Sequence, residues 1–127
     1  LYIAAMGAPD VPEDLATRDV LRLTLPDYRT EWQFRGADAV TVPVTGPILI
    51  SNALALRAAA RVGLGPALLA DWLVDGDIAA GRLVDLFPGH QVTATTFDTA
   101  AWLLYPSRAY LPVKVRAVID VLRQHLR

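Results

Sequence analysis

The stretch Ala58–Phe87, AAARVGLGPALLADWLVDGDIAAGRLVDLF, decides the fold. Its alanine-rich opening closes a helix, and Gly63 is placed to end that helix as a left-handed cap. Leu64-Gly65-Pro66 turns the chain into Ala67-Leu68-Leu69, a short apolar run that reads as a buried strand. Asp71 is positioned to cap a second helix over Trp72 to Ala80, and Gly81 to close it. Arg82-Leu83-Val84-Asp85-Leu86-Phe87 then reads as a half-buried strand. Alternation of helix and strand within one short stretch is the signature of an α/β fold. No obvious catalytic group falls inside it.

Upstream, Ser51-Asn52 precedes an Ala- and Leu-rich body, Ala53 to Val62. Either polar residue can cap that helix by accepting from its first free N–H groups. The body is apolar around most of its circumference, so burial on more than one side is expected. Further back, Leu21, Leu23 and Leu25 alternate with Arg22 and Thr24, a period of two that predicts a strand. Trp32 and Phe34 alternate with Gln33 and Arg35 in a second strand, and Val40-Thr41-Val42-Pro43-Val44 makes a third. Pro43 lacks an N–H, which places that third strand at a sheet edge. Ile48-Leu49-Ile50 continues in extended form after Gly46-Pro47. At the start, Leu1 to Met6 reads as a last helical turn capped by Gly7, and Pro12-Glu13-Asp14-Leu15 as the first turn of a small helix.

Downstream, Pro88-Gly89-His90 is a turn, Gln91 to Thr96 is weakly extended, and Ala101 to Tyr105 is an apolar strand ended by Pro106. Pro112 opens a final helix on which Val115, Ile119, Leu122 and Leu126 share one face.

Composition narrows the function. The 127 residues are 54% hydrophobic and 20% charged, which suits one globular domain or one lobe of a larger one. Twelve basic and 13 acidic residues leave a net charge of −1, with no basic excess to contact nucleic acid. The absence of cysteine excludes disulfides, thiolate metal sites and cysteine nucleophiles. The apolar runs are too short to span a bilayer, the start carries no basic leader, and the lack of an initiator Met fits a fragment of a cytoplasmic protein.

Catalytic constellations are not apparent. His90 and His125 have no spaced carboxylates around them and read as surface residues. Asp75 and Asp77, with Asp71, read as a solvated acidic face near a helix start. Ser51 and Ser107 lack a nucleophile-elbow context, and Gly63-Leu64-Gly65 follows a helix instead of a strand, unlike a dinucleotide fingerprint. No metal or cofactor site is expected. The polar groups that remain are binding candidates. Ser51, Asn52 and Ala53 form a helix start that caps itself and also offers N–H groups to an anion. Trp32, with Tyr28 and Arg29, lies in or near a loop where an aromatic carboxylate could be clamped, or where the same residues simply pack on the surface. Gly65 lets backbone line a cavity, in addition to making a tight turn.

The order of motifs along the chain resembles the effector-binding domain of LysR-type transcriptional regulators. Tyr2-Ile3-Ala4-Ala5-Met6-Gly7-Ala8-Pro9 is similar to that family's crossover segment, Pro12-Glu13-Asp14-Leu15 to its "P.DL", and Trp32-Gln33-Phe34 to its "W.F". Ser51-Asn52 falls where the family places "nn" before a helix; Gly63-Leu64-Gly65, Leu68-Leu69 and Gly81-Arg82-Leu83-Val84 follow in family order. Tyr105-Pro106-Ser107-Arg108 and Leu111-Pro112-Val113-Lys114-Val115-Arg116-Ala117 resemble its closing motif. The chain departs from the pattern at Ala70, where a proline is usual, at Arg18 and Val20, which replace "H.C", and at Val118, which replaces a phenylalanine.

The resemblance implies a type 2 periplasmic-binding-protein-like α/β lobe, its mixed sheet flanked by helices. Residues 8–90 would be the second lobe, and 1–7 and 91–127 the hinge crossover and the return segment of an incomplete first lobe. It implies a small, anionic effector in a cleft between lobes and no enzymatic activity. It also implies a homo-oligomer (dimer or tetramer) and DNA binding only through an N-terminal helix-turn-helix domain absent from this chain, with no membrane partner. Loss of part of the first lobe would expose apolar surface and favour self-association. The rival readings are a solute-binding receptor of related fold, which requires a secretory leader in the parent gene, and a small α/β enzyme, which requires convergent titratable groups.

Overall fold

The computed structural model describes residues 2–25, 30–97 and 113–125. In chain order the elements are α1 (Tyr2–Met6), a 3-10 helix (Pro12–Thr17), β1 (Arg22–Leu23), β2 (Glu31–Arg35), β3 (Ala39–Pro43), β4 (Leu49–Ile50), α2 (Ala53–Arg61), α3 (Asp71–Ala79), β5 (Gln91–Thr93) and α4 (Val113–His125). The chain divides into two units, Leu1–Phe97 and Asp98–Arg127.

The parallel part of the first unit is built around residues 19–24. β1 pairs in parallel with β4, Arg22 opposite Leu49 and Leu23 opposite Ile50, and two further parallel bridges join Asp19 to Thr45 and Leu21 to Ala67. Successive amides point to alternate sides, as a strand requires. Val20, Arg22 and Thr24 donate to the carbonyls of Thr45, Ile48 and Ile50 at 2.9, 3.1 and 3.0 Å, and Leu21 donates to Pro66 at 2.8 Å. From Asp19 to Arg22 the chain advances three residues while the partner advances four, from Thr45 to Leu49. The extra residue is a bulge at Gly46-Pro47. Only glycine fits there, because a Cβ on residue 46 would lie 2.3 Å from the Val20 carbonyl oxygen. The Arg22 guanidinium spans the bulge, donating to the Gly46 carbonyl from Nε at 3.1 Å and Nη2 at 2.5 Å. The expected strand Ala67–Leu69 is reduced to the single bridge at Ala67. Pro66 has no N–H to extend the ladder, and the chain enters α3 directly after Ala70.

The other sheet is antiparallel in the order β3-β2-β5, with Gln33 opposite both Thr41 and Thr93. β3 lies at the edge, where Pro43 removes no ladder bond. Trp32 and Phe34 point inward from β2 while Glu31 and Arg35 face out. The inward pair packs with Leu15 of the 3-10 helix, Val20, Val42, Val44 and Ala94. A smaller cluster of Leu21, Leu56 and Ala59 joins α2 to the parallel strands.

The helices depart from expectation in two ways. α2 buries only Leu56 and Ala59, and Leu54 stands 61% exposed, so the helix has one buried stripe and not several. Its alanines are apolar but small, so leaving most of them exposed costs little. α3 begins one residue earlier than expected. Ala70 is its N-cap without a side-chain bond, and Asp71 is the first helical residue, still favoured by the positive helix end. Gly7, Gly63 and Gly81 cap the preceding helices with φ of 75°, 83° and 77°.

The expected strand Arg82–Phe87 does not form. The Arg82 and Leu83 amides are committed to the Asp77 carbonyl at 2.8 and 3.2 Å, and the Asp85 carboxylate accepts from the Phe87 amide at 3.1 Å, bending the chain. Phe87 instead meets Phe34 edge-on with ring centroids 5.5 Å apart, and His90 packs edge-on against Phe34 and Phe87 at 6.2 and 6.1 Å. His90 is therefore half-buried in an aromatic contact and not a surface residue. In the second unit, α4 carries Ile119 buried, Leu122 half-buried and Lys114, Arg116, Asp120, Arg123 and Gln124 exposed, the expected amphipathic order. The expected strand at Ala101–Tyr105 lies outside the described residues, as do Pro112, Leu126 and the side chain of Val115.

Candidate functional site

β1 and β4 run in parallel, so their carboxyl ends lie side by side. Open α/β sheets bind ligands at such ends. The Thr24 amide reaches the Ile50 carbonyl at 3.0 Å, which sets exposed Thr24 beside the exposed segment Ser51-Asn52-Ala53. Asn52 has extended backbone (φ −132°, ψ 128°), and its Oδ1 accepts from Leu54 N at 2.8 Å and Ala55 N at 3.2 Å. Its carbonyl accepts the first intrahelical bond, from Leu56 N at 2.9 Å. The cap thus satisfies the second and third amides of α2. The amides of Asn52 and Ala53 precede the helix's own ladder and point out of its positive end. These two amides, with exposed Ser51 and Thr24 at the same edge, make a polar helix start of the kind that suits a carboxylate or similar anion. Thr24 was hidden in the sequence as one polar step of an alternating strand; only parallel pairing brings it to Ser51.

The other candidates lie elsewhere. Gly65 is buried beside the beginning of β1, where a Cβ would meet the Asp19 carbonyl oxygen at 3.2 Å and Leu21 Cγ at 3.5 Å. It serves close packing near the amino end of the strand, several residues from the Thr24–Ser51 edge. Trp32 is an interior residue of the antiparallel sheet core, which leaves no exposed ring for a clamp. Arg29 and Tyr28 lie outside the described residues.

Asp77 overturns the expected acidic face. It is 1% exposed, and three arginines surround it. Arg57 Nε lies 2.5 Å from Oδ2, Arg82 Nε 2.6 Å from Oδ1, and Arg61 Nε 3.8 Å from Oδ1. The hydrogen bonds from Arg57 and then Arg82 hold the Asp77 carboxyl well below the usual carboxylate range, against the opposing effect of burial. Asp77 in turn raises the Arg57 pKa through the same hydrogen bond. The local backbone explains the geometry. Gly81 N donates to Ile78 O at 3.1 Å and Arg82 N to Asp77 O at 2.8 Å, the paired bonds of a Schellman cap. That cap brings residues 77 and 82 together, and here an ion pair takes the place of the usual apolar contact. The sequence signal was available: Val74 and Asp77 are three apart on one helix face, and Gly81-Arg82 follows. Among the described residues, no group of three His, Cys, Asp or Glu side chains gathers where it could hold a metal ion, and no helix is long and apolar enough to cross a membrane.

A family model for the LysR substrate binding domain matches residues 2–127. The chain therefore belongs to the LysR substrate-binding domain family, with its periplasmic-binding-protein-like fold. It is 36% identical over 126 residues to the HTH-type transcriptional regulator PtxR of Pseudomonas aeruginosa, covering 98% of this chain and 39% of that protein. It is 31% identical over 126 residues to the HTH-type transcriptional regulator DmlR of Escherichia coli, again 98% of this chain and 39% of that protein. The fold is similar to that of the regulatory domain of AphB in Vibrio vulnificus, with a TM-score of 0.69 at 24% identity over 98% of this chain and 60% of that one. The chain thus spans about two fifths of the curated relatives it matches. These relatives are transcriptional regulators, a non-enzymatic role, and they lend no support to the solute-receptor reading.

Proposed function

We propose that this chain is the effector-sensing part of a cytoplasmic transcriptional regulator. The observation that carries the reading is the start of α2, whose Asn52 and Ala53 amides have no hydrogen-bond partner among the described residues, set at the carboxyl edge of parallel β1 and β4 beside Thr24. A small anionic effector bound there would be held by Ser51, Asn52, Ala53 and Thr24. Residues 8–90 serve as the second lobe, and 1–7 with 91–127 as crossover and return segment of the first. The effector favours one lobe arrangement over the other and so shifts the regulator's population of states. In this reading the full-length protein assembles as a dimer or tetramer, meets DNA through an N-terminal helix-turn-helix domain, and needs no cofactor. The PtxR and DmlR likenesses, both to HTH-type regulators, support it.

Asn52→Ala in the full-length regulator is the test. Loss of the cap costs about 1 kcal/mol of stability, and the effector dose–response of a reporter gene should move to higher concentration by more than that loss accounts for. An unmoved dose–response, in a variant whose melting curve shows the lost cap, would remove the α2 start from the site.

A further inference from the structure

We propose that Arg57, Arg61 and Arg82 form a second anion site, for a phosphate group, on the solvent side of the α2–α3 corner. The argument starts from charge. Asp77 supplies one negative charge to three guanidinium groups, and the ion pairs of these arginines among the described residues all run to that carboxylate. Arg57 and Arg82 already hydrogen-bond its two oxygens at 2.5 and 2.6 Å. Arg61, at 3.8 Å, is too distant for a hydrogen bond. It adds positive charge to a site where two arginines already outweigh the one carboxylate. A carboxylate offers about four lone-pair positions, while each guanidinium carries five N–H donors. Most donors of the cluster are therefore unmatched by Asp77.

Those donors are presented, not hidden. The side chains of Arg57, Arg61 and Arg82 are 29%, 40% and 47% exposed, against a carboxylate that is fully covered. Nε of Arg57 and of Arg82 engages Asp77, and Arg82 Nη2 also donates to the Gly76 carbonyl at 3.5 Å, while both side chains keep part of their surface in solvent. The placement is also fixed. Arg57 and Arg61 are one helical turn apart on a single face of α2, and the Schellman cap sets Arg82. With Asp77 supplying one negative charge, the three guanidinium groups keep a net charge of +2, which attracts a further anion. A tetrahedral oxyanion accepts from several guanidinium forks at once, so phosphate is the fitting chemistry. The cluster is compact and the chain carries a net charge of −1, so it offers no extended basic track for nucleic acid. The inference does not depend on the effector reading of the α2 start.

Isothermal titration of the purified protein with inorganic phosphate, and separately with glycerol phosphate, at low ionic strength tests the site against chloride at matched ionic strength. Saturable one-site binding of either phosphate is expected; the tighter of the two tells whether the free ion or a phosphorylated small molecule is the natural ligand. Arg61→Gln should weaken it about tenfold or more with an unchanged circular dichroism spectrum. Arg61→Lys, which keeps the charge and loses the fork, should retain part of the affinity. Absence of saturable binding above chloride overturns the proposal. So does binding indifferent to both Arg61 variants, or duplex DNA bound more tightly than either phosphate through the same arginines.

Discussion

Trp32 and Phe34 on β2 are 3% and 2% exposed, and Asp77 on α3 is 1% exposed. Three residues equally removed from water secure their surroundings by different physics. The antiparallel sheet buries two large aromatic side chains with Leu15, Val20, Val42 and Val44, and its hold is proportional to apolar area. The α2–α3 corner has little such area. α3 buries only Val74 and Asp77, Trp72 in its first turn is 80% exposed, and the connection to α2 runs through charged hydrogen bonds. Apolar packing tolerates changes of pH and salt. A carboxylate enclosed by guanidinium groups depends on its ionisation and leaves a costly unpaired group if either partner is removed. The two regions should therefore fail under different insults.

The largest effect is expected in the sheet. Phe34→Ala removes the ring that packs with Phe87 and His90 and should cost about 3–5 kcal/mol in denaturant unfolding. A cost under 1 kcal/mol would mean that the sheet is not the principal core. Next comes Asp77→Asn, which keeps the shape and removes the charge. Hydrogen exchange should show α3 amides losing much of their protection while β2 and β3 amides keep theirs; equal loss in both regions would erase the distinction between them. Acid tests the same group without mutation. The folded Asp77 carboxyl titrates below its unfolded range, so its contribution is complete above about pH 4 and is lost as pH falls through the folded pKa. Asp77→Asn should flatten that part of the stability–pH curve, and Phe34→Ala should lower the curve without changing its shape there. The smallest effect is a gain. A Cβ on Gly76, inside α3, would meet nothing within 4 Å, so Gly76→Ala should stabilise by about 0.5–1 kcal/mol. Destabilisation would show that the corner needs backbone freedom.

The contrast also explains what could be read in advance. Alternation located β2, a run of β-branched residues located β3, and Pro43 placed β3 at the edge. Asn52, Gly63 and Gly81 marked helix ends because caps are local chemistry, set by a residue and its next few neighbours. Segments whose state depends on distant partners were misread. Arg82–Phe87 has the apolar alternation of a strand, yet its first amides are taken by Asp77 and its end by Asp85. Trp32 was offered as a ligand clamp because an aromatic near a loop has two fates, and burial against Leu15 and Val44 chose the other one. Of the candidate residues, Ser51, Asn52 and Ala53 stand together at the carboxyl edge of β1 and β4, and Gly65 and Trp32 lie elsewhere.

By itself the sequence determined the alternation of helices and strands, the glycine and asparagine caps, and membership in a family whose motifs recur in fixed order from Tyr2 onward. These follow from short-range sterics and hydrogen bonding, or from order along the chain, and need no contact map. Tertiary structure decided the rest. It set Thr24 beside Ser51 by parallel pairing across 26 intervening positions, opened the bulge at Gly46 against Val20, and enclosed Asp77 between Arg57 and Arg82. An aspartate on a short helix is solvated or buried according to whether cations reach it in space. Arg57 lies twenty residues away along the chain, and only folding brings it to hydrogen-bonding distance.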